Sequence, residues 1–221
     1  MKIDPFKKRF QEIANPDRAR QMKAYLKGQF DFYGIPASER RCVQKECFLE
    51  MKAKSEPLDR LFVRACWEED ERECQYLAID YLRLKQKELN ESHISMLIDL
   101  VLSKSWWDTV DMLASAVLGG ILLGKPELMD RYPDQWIESE NFWLKRTAIL
   151  FQLKYRDDMD FERLKGYCLE NQNEKEFFIR KAIGWILRQA SKYNPDEVKM
   201  ILSAGNFSGL TIREASKYLD K

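Results

Sequence analysis

The segment SKSWWDTVDMLA, residues 103–114, sets Trp107 and Asp111 four positions apart. On a helix that spacing puts an indole and a carboxylate on one face, and it turns Asp108 some 100° away. A carboxylate beside an aromatic wall can steady positive charge that develops on a substrate. The same pattern fits a core Trp next to a solvated acid. A second stripe lies in KAIGWILRQ, where Lys181, Trp185 and Arg188 follow at spacings of four and three. A flat ring between two cations suits a base or sugar flanked by phosphates. It suits equally a core Trp with cations snorkelling past it. Gly184, directly before that Trp, is unusual inside a helix, where it costs about 1 kcal/mol against Ala, and it leaves room for something to approach. A third stripe, WLKRTAILFQLKY, carries Lys145 and Arg146 in its first turns and Lys154 beyond them. Over residues 141–192, Lys and Arg outnumber Asp and Glu by 11 to 7, a modest base for tracking phosphates.

Other chemistries find no support in the residues. There is no Gly-rich phosphate loop, no GxGxxG and no HExxH. The single histidine, His93, sits in LNESHISML, where it reads as a helix-start residue. A histidine-based metal site or a catalytic triad is therefore not expected. The five cysteines include no CxxC pair, which fits reduced thiols in a cytoplasmic protein. Net charge is only +1, from 37 basic and 36 acidic residues, so any basic surface must come from uneven distribution. The start has no apolar stretch suited to a signal peptide, and the most apolar segment, MLASAVLGGILLG, falls short of the roughly 20 residues a membrane span needs. No membrane role is expected.

The elements that must position these residues are helices. Tyr76, Ile79 and Leu82 fall at helical spacing, as do Phe178, Ile179, Ala182, Ile183 and Ile186. Helix starts are marked at Asn15-Pro16, Ser55-Glu56-Pro57, Lys125-Pro126 and Asn194-Pro195. Paired residues, mostly aromatic, recur at Gln75-Tyr76, Trp106-Trp107, Phe142-Trp143 and Phe177-Phe178, with steps of 31, 36 and 35. NFWLKRTAI and EFFIRKAIG match position by position. A period in the mid-thirties with two helices per unit predicts an all-α chain, an α-solenoid forming one domain over residues 1–221 with a concave wall. In this register Trp107 matches Trp143 and Phe178, and Asp111 replaces the small residues Thr147 and Ala182.

The segments WWDTVD, FWLKRTAILFQLKY and KEFFIRKAIGWILR, with MKAYLKGQFDFYGIP near the start, resemble the AlkD-type DNA alkylation repair glycosylases. The resemblance runs from about residue 6 to 220. It implies a right-handed solenoid of HEAT-like repeats whose concave face binds DNA. It implies hydrolytic excision of purines alkylated at N3 or N7 from duplex DNA, without metal or organic cofactor, by a monomer. Carried over by motif, the catalytic aspartate falls on Asp111 and the two cleft tryptophans on Trp107 and Trp185. The cleft arginine falls on Arg146, expected to grip phosphate. Tyr25, Lys154 and Arg188 match DNA-contacting positions; Lys181 and Lys145 join them from the stripes above. The resemblance also implies an open cleft in which the lesion stays largely stacked. A non-catalytic solenoid that binds DNA or a protein partner is the competing reading.

Overall fold

A computed structural model describes residues 1–53 and 55–219. Among them helices account for all regular structure except one isolated bridge between Asp31 and Glu71. The chain divides into two compact units, residues 1–89 and 90–221.

The first unit holds α1 (Asp4–Glu12), α2 (Pro16–Tyr25), α3 (Ala37–Glu50), α4 (Arg60–Glu68) and α5 (Arg72–Leu84). Its core is aromatic: Phe6, Phe62 and Tyr81 are each at most 1% exposed. Glu73, fully buried on α5, accepts the backbone N–H groups of Tyr33, Gly34 and Ile35 and so ties the segment before α3 to α5. Burial pushes its carboxyl upward while those N–H groups oppose the shift.

The second unit holds α6 (Ile94–Leu102), α7 (Trp107–Met112), a π-helical segment Leu113–Leu118, α8 (Gly119–Leu122), α9 (Pro126–Arg131), α10 (Pro133–Ile137), α11 (Phe142–Leu150), α12 (Phe161–Glu170), α13 (Phe177–Ala190), α14 (Pro195–Ala204) and α15 (Gly209–Ala215). The apolar run MLASAVLGGILLG becomes the π-helical segment and α8, and buries Leu113, Val117, Leu118 and Ile121. Among the described residues no helix is long and apolar enough to cross a membrane. Helix α11 packs against α7 and α13, and α13 packs against α15.

Several starts obey the sequence signals. Asn15 caps α2 and Asn194 caps α14, each followed by Pro at the first helical position. His93 closes a capping box with Asn90 ahead of α6, the helix-start role its context implies. The Ser55-Pro57 signal is misplaced: α4 begins at Arg60, because Asp59 accepts the Phe62 N–H and makes the better cap.

Gly184 is explained by α15. A Cβ there would stand 2.6 Å from Glu214 Cβ and 3.1 Å from the Thr211 carbonyl oxygen. The missing side chain lets α13 and α15 approach closely enough for Glu214 to meet the α13 cations. Replacing Gly184 with Ala gains helix propensity but overpacks this contact, a net cost of about 1–3 kcal/mol. Thermal unfolding of Gly184→Ala is expected about 3–9 °C below wild type; an unchanged or raised midpoint would show that the two helices separate freely.

Candidate functional site

Helix α7 is short, and its first residue is Trp107. Trp106 occupies the cap position with extended backbone. Its ring joins Trp143 and Phe178, with centroids 5.9 and 5.2 Å away, and those two rings lie 4.9 Å apart. The cluster fixes the beginnings of α7, α11 and α13 against one another. This corrects the repeat register by one residue. By helix start, Trp107 corresponds to Phe142 and Phe177, and Asp111 to Arg146 and Lys181. The alignment of Trp107 with Trp143 and Phe178 fails because Trp106, rather than its neighbour, is the ring that packs between them. Trp107 is left half-buried, one turn before Asp111 on the same face.

Asp111 is 7% exposed. Its carboxylate accepts Arg146 Nε at 2.7 Å and Arg146 Nη2 at 2.8 Å, a fork from α11 to α7. The third guanidinium nitrogen, Nη1, donates to the Phe178 carbonyl oxygen, and the guanidinium carbon lies 5.9 Å from the Phe178 ring centroid. Burial pushes the Asp111 carboxyl upward; the Arg146 hydrogen bonds and charge oppose it, and nearby Asp108 adds to the push. The fork uses one lone pair on each oxygen and leaves a second on each. Behind the carboxylate the helix widens, with Ser115 Oγ donating to the Asp111 carbonyl at 2.7 Å. π-Helical turns of this kind recur at functional sites.

The phosphate-gripping role expected of Arg146 does not fit this geometry. Arg146 is 3% exposed and its nitrogens are spent on Asp111 and Phe178. It is a positioning residue for Asp111.

On α13, Trp185 is half-buried, with Lys181 a turn before it and Arg188 almost a turn after. Both cations meet Glu214 of α15: Lys181 Nζ lies 2.7 Å from Oε1, and Arg188 Nη1 lies 2.7 Å from Oε2. Lys217 adds a third contact at 2.9 Å. The Glu214 side chain is 6% exposed, while Lys181 and Lys217 remain 39% and 47% exposed. Their outer surfaces face solvent around one inner anion. Lys181 and Lys217 together hold the Glu214 carboxyl down to about 2. Lys145 is paired with Glu174 at 2.7 Å and with Asn171. Lys154 is exposed in the turn after α11. Tyr25 ends α2 in the other unit and is 70% exposed.

Glu214 and Lys217 were not singled out in the sequence. Their three-residue spacing hints at a local pair, but nothing local connects Glu214 with Lys181, 33 positions earlier. Among the described residues no group of three His, Cys, Asp or Glu could hold a metal ion.

The model of a family described as DNA alkylation repair enzyme matches residues 6–219. The chain belongs to the DNA alkylation repair enzyme family. Its solved neighbours are AlkD-type helical-repeat proteins. One is a structure described as a predicted DNA alkylation repair enzyme from Enterococcus faecalis, at 35% identity and a TM-score of 0.86, covering 94% of this chain and 97% of that one. AlkD2 from Streptococcus mutans shares the fold at 20% identity and a TM-score of 0.65, covering 92% and 100% of the two chains. A second Streptococcus mutans structure, smu.31, shares it at 19% identity and a TM-score of 0.60, over 81% and 97%. No curated protein matches the chain. Membership supports a role for this family member in the repair of alkylated DNA.

Glu214 gives this site an acid-sensitive prop. Its folded value of about 2 lies below the ordinary 4.5, so its stabilisation is complete above about pH 4.5 and is lost as pH falls towards 2. Denaturant unfolding measured between pH 5 and 2.5 is expected to show Glu214→Gln destabilised at pH 5 and converging on wild type at the acid end. A constant gap across that range would remove Glu214 as the titrating group.

Proposed function

We propose that this protein is a monofunctional DNA glycosylase that removes cationic N3- and N7-alkylated purines from duplex DNA by hydrolysis of the N-glycosidic bond. The observation that carries the reading is the Asp111 carboxylate, buried, forked by Arg146 and one helical turn from the half-buried Trp107.

The chemistry asks little more. An alkylated purine of this kind already carries a positive charge and departs with the bonding electron pair as a neutral base. The sugar left behind is oxocarbenium-like, as in glycoside hydrolysis. Asp111, fixed as an anion, stabilises that charge without reorganising, and its unused lone pairs orient the incoming water. Water oxygen bonds to the anomeric carbon and its proton passes to solvent, giving an abasic sugar. The faces of Trp107 and Trp185 hold the sugar and add cation–π attraction as charge develops. Lys181, Arg188, Lys154, Lys145 and Tyr25 contact the backbone. With contacts concentrated on backbone and sugar, the lesion stays largely stacked, and no metal or organic cofactor takes part.

The competing reading, a binder of DNA or protein without chemistry, draws on the neutral net charge and on the intramolecular partners of Lys145, Lys181 and Arg188. The two separate at Asp111. On methylated duplex DNA, wild type is expected to release 7-methylguanine, and Asp111→Asn to retain DNA binding while losing about 10²–10³ in single-turnover rate. Release at an undiminished rate by Asp111→Asn would move the chemistry elsewhere, and no release by wild type would leave the binding reading.

A further inference from the structure

The first unit carries a cavity outside the Asp111 site. It lies between α3 and α5, has a volume of about 440 Å³, and is lined by Arg41, Gln44, Lys45, Phe48, Leu49, Asp80, Arg83 and Leu84. That size falls within the range of binding pockets. Its composition is divided. Phe48, Leu49 and Leu84 make an apolar part, with Leu49 70% and Leu84 38% exposed. Phe48 is held in place by Phe6 and Tyr81, whose ring centroids lie 5.2 and 5.9 Å away. Arg41, Lys45 and Arg83 set three cations on the wall against one acid, Asp80. That acid is already engaged, by Arg40 at 3.2 Å and Arg83 at 3.3 Å.

Donors exceed acceptors along this wall. Gln44, 2% exposed, has no partner for its Nε2. Arg40, one turn earlier and 4% exposed, leaves Nε and Nη1 without partners. Buried donors without acceptors cost about 1–3 kcal/mol each, so the wall is short of oxygen atoms carrying negative charge.

The spacing also favours one kind of occupant. Arg41, Lys45 and Leu49 stand at four-residue intervals on α3 and form a straight stripe. The stripe is about 12 Å long, the reach of three or four extended residues. Adjacent cations about 6 Å apart match acids on alternate residues of an extended chain. We propose that the α3–α5 groove docks an acidic peptide segment of a partner protein, its carboxylates on Arg41, Lys45 and Arg83 and a large terminal apolar side chain against Phe48, Leu49 and Leu84. Exposed leucines and the acid in the wall make the groove unsuited to a bare phosphate backbone. This site does not depend on the glycosylase reading.

The test is fluorescence anisotropy of the full chain with a labelled five-residue peptide, three acids followed by Leu and Phe. Saturable binding at one peptide per chain is expected. It should weaken at least about tenfold, or about 1.4 kcal/mol, in Arg41→Glu/Lys45→Glu and in Leu84→Asp. Those positions are exposed, and a second arm needs no protein variant: replacing Phe by Ser in the peptide, or its acids by Lys, should cost as much. Failure to saturate overturns the proposal, as does equal affinity for the acidic and basic peptides. Displacement of the peptide by octanoate at an equal concentration would also overturn it, because the groove would then be a site for small amphiphiles.

Discussion

The second unit is organised around one constraint, a carboxylate placed where water hardly reaches. Asp111 cannot remain charged there without a cation, and Arg146 supplies it through two short hydrogen bonds. Breaking one side of such a pair strands a buried charge, at about 3–5 kcal/mol. The surroundings follow from keeping the fork aligned. The Trp106, Trp143 and Phe178 rings pin the starts of the three helices concerned, and the Phe178 carbonyl takes the remaining arginine nitrogen. The arrangement favours preorganisation over stability, as proposed electrostatic catalysis requires.

The same unit handles its other cations differently. Lys181, Arg188 and Lys217 share Glu214 at their inner ends and keep their outer surfaces free. An inner anion holds three like charges together that would otherwise repel one another. Gly184 makes the arrangement possible by bringing α15 within reach. The neutral net charge of the chain thus conceals a local excess of two positive charges, three cations on one carboxylate, where the proposed DNA contacts lie.

Much of this was legible in the sequence because it depends on local rules. Helical periodicity gave α5 and α13, Asn-Pro pairs gave the caps of α2 and α14, and four-residue spacing put Trp107 and Asp111 on one face. Gly184 announced a close approach. What failed was non-local. Two adjacent tryptophans cannot be told apart by composition, and only the packing of Trp106 on α11 and α13 sets the register. Arg146 reads as a phosphate ligand until its partner is seen 35 positions away. Glu214 carries no motif, since its role arises from helices brought together by tertiary packing. The family's printed description reaches alkylated-DNA repair; the glycosidic step rests on the carboxylate itself.

The charge on that carboxylate is therefore the quantity to measure. Carbon-13 NMR of the Asp111 side-chain carboxyl, assigned by comparison with Asp111→Asn and titrated from pH 4 to 9 in wild type and in Arg146→Gln, reads it directly. The account predicts an ionised carboxyl at neutral pH in wild type, with protonation moving to higher pH once the fork is removed. A wild-type Asp111 that is protonated at pH 7, or a titration indifferent to Arg146, would contradict it.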